Sequence, residues 1–396
     1  MTLNNQARSY LSIFGFGIFL IIPGLDVILK YFGLIGIAGY LLLSFLALFI
    51  GFKLILPTFL SKLTEKQANI LTVLTFAVVI VVVAIMYPLA NNGTFGPGSD
   101  ANDALILGAT ELLKGHYPFY ARTYLGNPIA PMPGSVIMAI PFVLIDLFEL
   151  QNIFWLAVFF GVVRSYLKSS VYALALLWLI LAFSPSSLQN LVTGTDHISN
   201  TVYILASIWL MIKMIPRPDT AEWKKLLPTV LLGVGLSSRS NFIFLMPLLF
   251  SFLVQNAGWK AAIKYVGIAG AVCALVTIPF WVYDPAGFTP LLVQANKVTQ
   301  FESVLPHAGI IVPGSLLLLS LLLAPVKMTL DGAVFFRNCA IVQLFSVFIM
   351  TAISSAYYGR LDLFFGHIGY GLFFLYFGVF AYWIDLRGRE TVLATS

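Results

Sequence analysis

Residues 69–90 read NILTVLTFAVVIVVVAIMYPLA, an apolar run with no charged side chain. An α-helix needs roughly 20 mostly apolar residues to cross the hydrocarbon core of a bilayer, and this run meets that length. Similar runs recur along the chain. Those at about 9–29, 33–56, 69–90, 151–168, 170–185, 198–214, 226–239, 241–256, 264–282, 309–325, 338–356 and 363–385 predict twelve spans, several of them short. Composition agrees: 60% of the 396 residues are apolar, 10% are charged, and the mean hydropathy is +0.95. A soluble domain averages about 25% charged residues. In lipid, apolar side chains face hydrocarbon while the helical backbone satisfies its own hydrogen bonds. The expected fold class is an all-α polytopic membrane protein, with residues 1–396 forming one integral membrane domain.

The net charge of +6 is no nucleic-acid footprint, since basic residues in such chains mark topology. Cys273 and Cys339 both sit in apolar runs, so neither a disulfide framework nor a CxxC metal site is expected. The start, with Arg8 before an apolar run, is like a signal peptide. No small-residue cleavage site follows, so a retained first helix is expected.

One further apolar stretch, 132–149, follows Pro131, contains Pro133 and Pro141, and ends with Asp146 and Glu149. If it does not cross and both termini are cytoplasmic, every Lys and Arg falls on the inside except Lys30, Lys114, Arg122, Arg239, Lys297 and Arg360. If it crossed, every later basic loop would flip outward. It therefore reads as a re-entrant or interfacial helix on the outer side. The outside then holds one long segment, about 91–150, and a second at about 283–308. No repeat and no relation between the two halves is evident.

The outer segment opens with Asn92, Gly93, Gly96, Pro97 and Gly98. From Ser99 or Asp100, Leu105, Ile106, Ala109, Leu112 and Leu113 recur at helical spacing up to Gly115. This predicts an amphipathic helix on the outer leaflet. Asp100 and Asp103, three apart, project from one face at its start. Capping explains an Asp there. Two acids beside a membrane exit also suit a general base acting on an incoming hydroxyl.

Three other polar spots stand at membrane depth. Asp196 and His197 lie in QNLVTGTDHISN (189–200), a solvated turn or a patch facing the same cavity as Asp100. Arg239 lies in the knot Ser237–Asn241. Its guanidinium suits phosphate, or a structural pairing with an outer acid. Arg360, Asp362 and His367 form a third group. Tyr117, Phe119, Tyr120 and Tyr124 fit an interfacial belt or a surface for sugar rings. Lys297, Glu302 and His307 read as solvated. Asn92-Gly93-Thr94 matches a glycosylation sequon. No HExxH, GxxxxGK[ST], GxSxG or zinc-spacing motif is present, and no cytoplasmic block is long enough to hold a soluble nucleotide sugar.

The layout resembles the GT-C superfamily of membrane glycosyltransferases, in particular its polyprenyl-phosphate-sugar-dependent, mannosyltransferase-like branch. The similarity runs through Ser99-Asp100, Ala109, Leu112-Leu113, Gly115 and Tyr117-Pro118-Phe119-Tyr120, then Tyr124, Pro128, Pro131 and Pro133. It continues in Ser184-Pro185, Thr193-Gly194-Thr195-Asp196, the stretch from Gly235 to Pro247, and Asp284-Pro285. It covers about residues 70–290 with short, degenerate motifs. Two spans precede the helix that comes first in the shared core, and Arg239 stands where relatives often have Lys. The resemblance implies a bundle of about twelve spans with outer juxtamembrane helices, set in the cell membrane with its site on the extracytoplasmic side. It implies inverting transfer of a sugar from a polyprenyl-phosphate donor to a lipid or glycan acceptor, without nucleic acid and with no cofactor, a metal joining Asp100 and Asp103 being left open. Asp100 would be the base, with Asp103 beside it. Arg239, helped by Arg122 or Arg360, would hold the phosphate, and Tyr120, Tyr124, Asp196 and His197 would line the cavity. A transporter or flippase, or a polymerase or ligase of lipid-linked glycans, are the rival expectations. The long early outer segment and the absent half-to-half symmetry weigh against them.

Overall fold

The computed structural model describes residues 5–92, 99–363 and 369–394, with side chains from 10 to 386 within them. Gly93, Thr94, Gly96, Pro97, Gly98 and His367, and the side chains of Arg8, Arg387 and Arg389, lie outside the described residues. The chain is all-helical: 81% is helix, with no strand among the described residues.

The elements are α1 (Asn5–Ile21), α2 (Leu25–Ile50), α3 (Leu56–Lys62), α4 (Glu65–Asn91), α5 (Ala101–Leu113), α6 (Pro133–Leu144), α7 (Gln151–Leu167), α8 (Ser170–Phe183) and α9 (Pro185–Thr193). They continue with α10 (His197–Met214), α11 (Glu222–Leu236), α12 (Met246–Ala257), α13 (Trp259–Tyr283), α14 (Thr289–Thr299), α15 (Ala308–Leu323), α16 (Ala333–Tyr358) and α17 (Gly371–Ala394). Among the described residues six helical stretches are long and apolar enough to cross a membrane, or seven if the bent α8–α9 pair counts as one. The expected runs at 9–29 and 33–56 form one continuous stretch, Tyr10–Lys62. It is interrupted by a 3-10 turn at Ile22–Gly24 and by Gly33, whose φ of 65° and ψ of −165° break α2.

Local chemistry sets the boundaries. A capping box starts α4: Gln67 N donates to Thr64 Oγ1, and Thr64 N donates to Gln67 Oε1. α6 has only 12 residues, about 18 Å, which is short of the hydrocarbon core. The stretch 189–200, read as a solvated turn or a polar patch facing the cavity of Asp100, is mostly helix. Pro185 at the first turn, with Ser184 Oγ accepting from Ser187 N, starts α9 at 86° to α8. Only residues 194–196 remain outside helices.

α10 forms the centre. It is buried on nearly every side, as an all-round apolar helix must be, and packs against α7, α11 and α17. α4 instead turns Val73, Leu74, Val78, Val81 and Ile85 outward, an apolar surface suited to lipid.

Bonds between connecting segments fall into two sets. In one, Glu65 accepts from Ser169 Oγ and Ser170 N, Lys264 pairs with Glu222, Gln255 donates to the Val326 carbonyl, and Ser12 donates to Asp385. In the other, Asn102 donates to Tyr87 Oη, Thr289 to the Ile129 carbonyl, Tyr117 to the Phe280 carbonyl, Ser186 to Asp26, and Arg239 to Asp196.

Candidate functional site

The site is built at the start of α5, where Asn102 donates to Tyr87 Oη. Asp100 occupies the N-cap position but makes no capping bond. Ser99 Oγ takes that role, accepting from Ala101 N at 3.3 Å. The Asp100 carboxylate turns instead to the loop after Tyr120, where Oδ2 accepts from Thr123 Oγ1 at 2.6 Å and from Asn127 Nδ2 at 2.8 Å. Asp103 Oδ2 accepts from Tyr124 N at 2.9 Å. Both acids therefore hold one loop, and Oδ1 of each has no hydrogen-bond partner among the described residues.

The loop is tightly closed on itself. Thr123 N donates to the Asn127 carbonyl, Asn127 N donates to Thr123 Oγ1, and Arg122 bridges Pro128 through the backbone. Arg122 thus stands one residue from Asp100's partner, exposed and outside every ion pair among the described residues. Tyr120 and Tyr124 are exposed, at 59% and 56%.

The loop is fixed against the segment that follows α13. Tyr120 Oη donates to Asp284 Oδ2 at 2.9 Å, and Ala286 N and Gly287 N donate to Asp284 Oδ1. The Gly287 amide, with the Tyr120 hydroxyl behind it, holds the Asp284 carboxyl below the usual carboxylate range. The same bond raises the Tyr120 phenol. Phe119, Ile129, Met132 and Phe288 pack beneath.

Asp196 and Arg239 form a buried ion pair. Arg239 Nη2 lies 2.5 Å from Asp196 Oδ1, with side chains 13% and 3% exposed. Asp196 Oδ2 and Arg239 Nε are buried without a partner. Of the two readings the sequence left open for Arg239, the structure shows the pairing with an acid, Asp196. His197 is buried beside Asp196, its ring against Tyr370 and Phe373. Lys297 is half-buried, not solvated as expected, with Nζ 3.4 Å from Tyr370 Oη.

Two close approaches join the ion pair to the outer helices. Gly194, at φ 71°, lies where a Cβ would stand 3.3 Å from Asn102 Cβ and 2.7 Å from the Tyr87 ring, so α5 rests on the turn that carries Asp196. Gly134 N, at the start of α6, donates to the Ser237 carbonyl. A Cβ on Gly134 would stand 2.2 Å from the Val234 carbonyl oxygen. α6 therefore docks beside the turn that carries Arg239. Asp100, Asp103, Arg122, Tyr120, Tyr124, Asp196, His197 and Arg239 all lie on elements joined by these contacts. Arg360, exposed past the end of α16, makes no contact with Asp100 or Arg239 among the described residues.

Thr123, Asn127 and Asp284 were not singled out as site residues. The two hydrogen bonds to Asp100 span 23 and 27 positions, a separation with no periodic signature. Among the described residues no group of three or more His, Cys, Asp or Glu could hold a metal ion. Comparison with protein-family models, with curated proteins and with solved structures finds no match.

Proposed function

We propose that this chain is a membrane glycosyltransferase of the GT-C type. It moves a sugar from a polyprenyl-phosphate donor to an acceptor hydroxyl of a lipid or glycan, on the extracytoplasmic face of the cell membrane. The observation that carries the reading is the state of Asp100. Two donors fix its Oδ2, its Oδ1 is open, and it heads α5, the helix that rests on the Gly194 turn beside the Asp196–Arg239 pair. A fixed carboxylate with one free oxygen suits a general base, a role that typically contributes 10²–10⁴-fold in rate. Arg239 would receive the leaving phosphate by exchanging one prong of its fork from Asp196 to the ligand, with Arg122 on the loop above. The exposed Tyr120 and Tyr124 would meet the acceptor.

The reading includes twelve crossings with both termini inside. The two sets of contacts support it. Each bond named there joins segments that the basic-residue count puts on the same side, inside for the Glu65, Glu222, Gln255 and Ser12 contacts and outside for the rest.

A transporter or flippase of lipid-linked glycans is the second reading, favoured by the helix breaks at Ile22–Gly24 and between α8 and α9. Purified protein incubated with a panel of polyprenyl-phosphate sugars separates the two. Glycosyl transfer that falls at least about 100-fold in Asp100→Asn, with an unchanged melting profile, is expected. Full activity in Asp100→Asn refutes the base. Movement of substrate across liposomes without transfer refutes the enzyme.

A further inference from the structure

Asp26 stands in the first turn of α2, far in sequence from the acids above, and is 4% exposed. Its Oδ1 lies 3.0 Å from Ser186 Oγ, and its Oδ2 is buried with no partner. No cation pairs with it among the described residues. Lys30, one turn on, lies over the Tyr31 ring. Lys30 acts on the Asp26 carboxylate only from beyond ion-pair distance, and a buried carboxylate with no cation in contact among membrane-crossing helices is costly and marks function.

Its surroundings are oxygen. α1 ends at Ile21 and the chain turns through Ile22–Gly24, while α8 ends at Phe183 and bends by 86° into α9. These two breaks meet. Ser186 Oγ donates to the Pro23 carbonyl at 2.5 Å, and Tyr40 Oη donates to the Phe183 carbonyl at 2.7 Å and approaches the Ile21 carbonyl at 3.3 Å. Two hydroxyls, with one proton each, face three carbonyls and the carboxylate, which otherwise has only the amides of Asp26 and Val27 at its own helix start. The cluster is short of positive charge.

The ligand chemistry narrows what would supply it. Hard oxygens with a single carboxylate suit an alkali cation. Divalent ions recruit more carboxylates, and transition metals favour nitrogen or sulfur. Carbonyls freed where membrane helices break are suited to coordinating Na⁺. We propose that the meeting point of the two helix breaks is a binding site for a sodium-class monovalent cation. The Asp26 carboxylate, the Pro23 carbonyl and the Ser186 hydroxyl are its ligands, and Tyr40 with its two carbonyls completes the oxygen shell. Occupancy locks the α1–α2 break to the α8–α9 break.

The test is the thermal midpoint of purified full-length protein, with sodium chloride exchanged for choline chloride at equal ionic strength. The wild type is expected to gain roughly 3 °C in sodium. Asp26→Asn is expected to show no sodium response and to melt in choline at or above the wild type, because the amide needs no counter-ion. Should that variant fail to accumulate, Ser186→Ala and Tyr40→Phe are expected to move the sodium response to several-fold higher concentration. A wild-type midpoint equal in the two salts overturns the site. So does one that follows pH and ignores sodium, which would make Asp26 a proton site. No activity is measured, so this result stands or falls apart from the transferase reading.

Discussion

Replacing Asp196 by Asn removes the charge facing Arg239 at 2.5 Å, where the two side chains are only 3% and 13% exposed. Breaking a buried pair from one side costs about 3–5 kcal/mol, because the remaining charge is left without compensation. Two features favour the lower end: Asn keeps one carbonyl acceptor, and the guanidinium retains some access to water. The working figure is about 3 kcal/mol. At ~2.1 cal/mol/K of unfolding entropy per residue, a 396-residue chain moves its midpoint by about 4 °C for that change. The assay is thermal unfolding followed by tryptophan fluorescence, run for Asp196→Leu, Arg239→Met and the double variant beside Asp196→Asn. The double variant should recover most of the lost midpoint, since an apolar pair avoids the cost of dehydrating two charges. If Arg239 also serves a phosphate, the double variant recovers stability and stays inactive. An Asp196→Asn midpoint within about 1 °C of wild type refutes the reasoning, as does a double variant as unstable as the two single losses added together.

Gly194→Ala should destabilise by about 1–2 kcal/mol, because φ is 71° and the new methyl would meet the Tyr87 ring at 2.7 Å; a melt equal to wild type would remove Gly194 from the α5 contact. The Gly287 amide and the Tyr120 hydroxyl, which both donate to Asp284, should give an acid-sensitive limb to stability. The folded carboxyl titrates below its unfolded value of about 3.9, so its contribution is present above that pH and is lost as pH falls through the folded range. Tyr120→Phe should shrink that limb in melts run against pH, and an unchanged acid limb would show that the Tyr120–Asp284 bond does not form in solution.

The membrane-spanning character was legible because it rests on composition and run length, which need no tertiary information. Residues 69–90 became α4 with a boundary set by the Thr64–Gln67 box, a signal four residues long. The short α6 followed from its prolines and terminal acids. Of the two readings of 189–200, the solvated turn fails, although Gln189, Asn190 and Thr193 look solvated in sequence. In the fold Asn190 Oδ1 accepts from Ile198 N, and the Asn190 carbonyl accepts from Asn152 Nδ2, so their polarity is spent inside the protein. Amide side chains satisfied by distant backbone carry no periodicity that would distinguish them from surface ones. Lys297 was read as solvated for a related reason: only Tyr370, 73 positions away, gives its ammonium a half-buried place.

α9 ties these features into one mechanical argument. Its nine residues extend about 13 Å, lying across the end of the bundle at 86° to α8. Ser186 at its start holds Asp26 and Pro23, and Gly194 at its end carries the turn on which α5 rests and from which Asp196 reaches Arg239. A helix of two and a half turns, capped at both ends, moves as a rigid rod. A shift at Ser186 would therefore carry along α9 as far as Thr193, and Gly194 and Thr195 link it to Asp196. Asp196 Oδ2 and Arg239 Nε, both buried without a partner among the described residues, give the ion pair hydrogen-bonding capacity that it does not use. A cation at Asp26 would thus bias how firmly Asp196 holds Arg239, and through it how readily that guanidinium is released to an incoming anion.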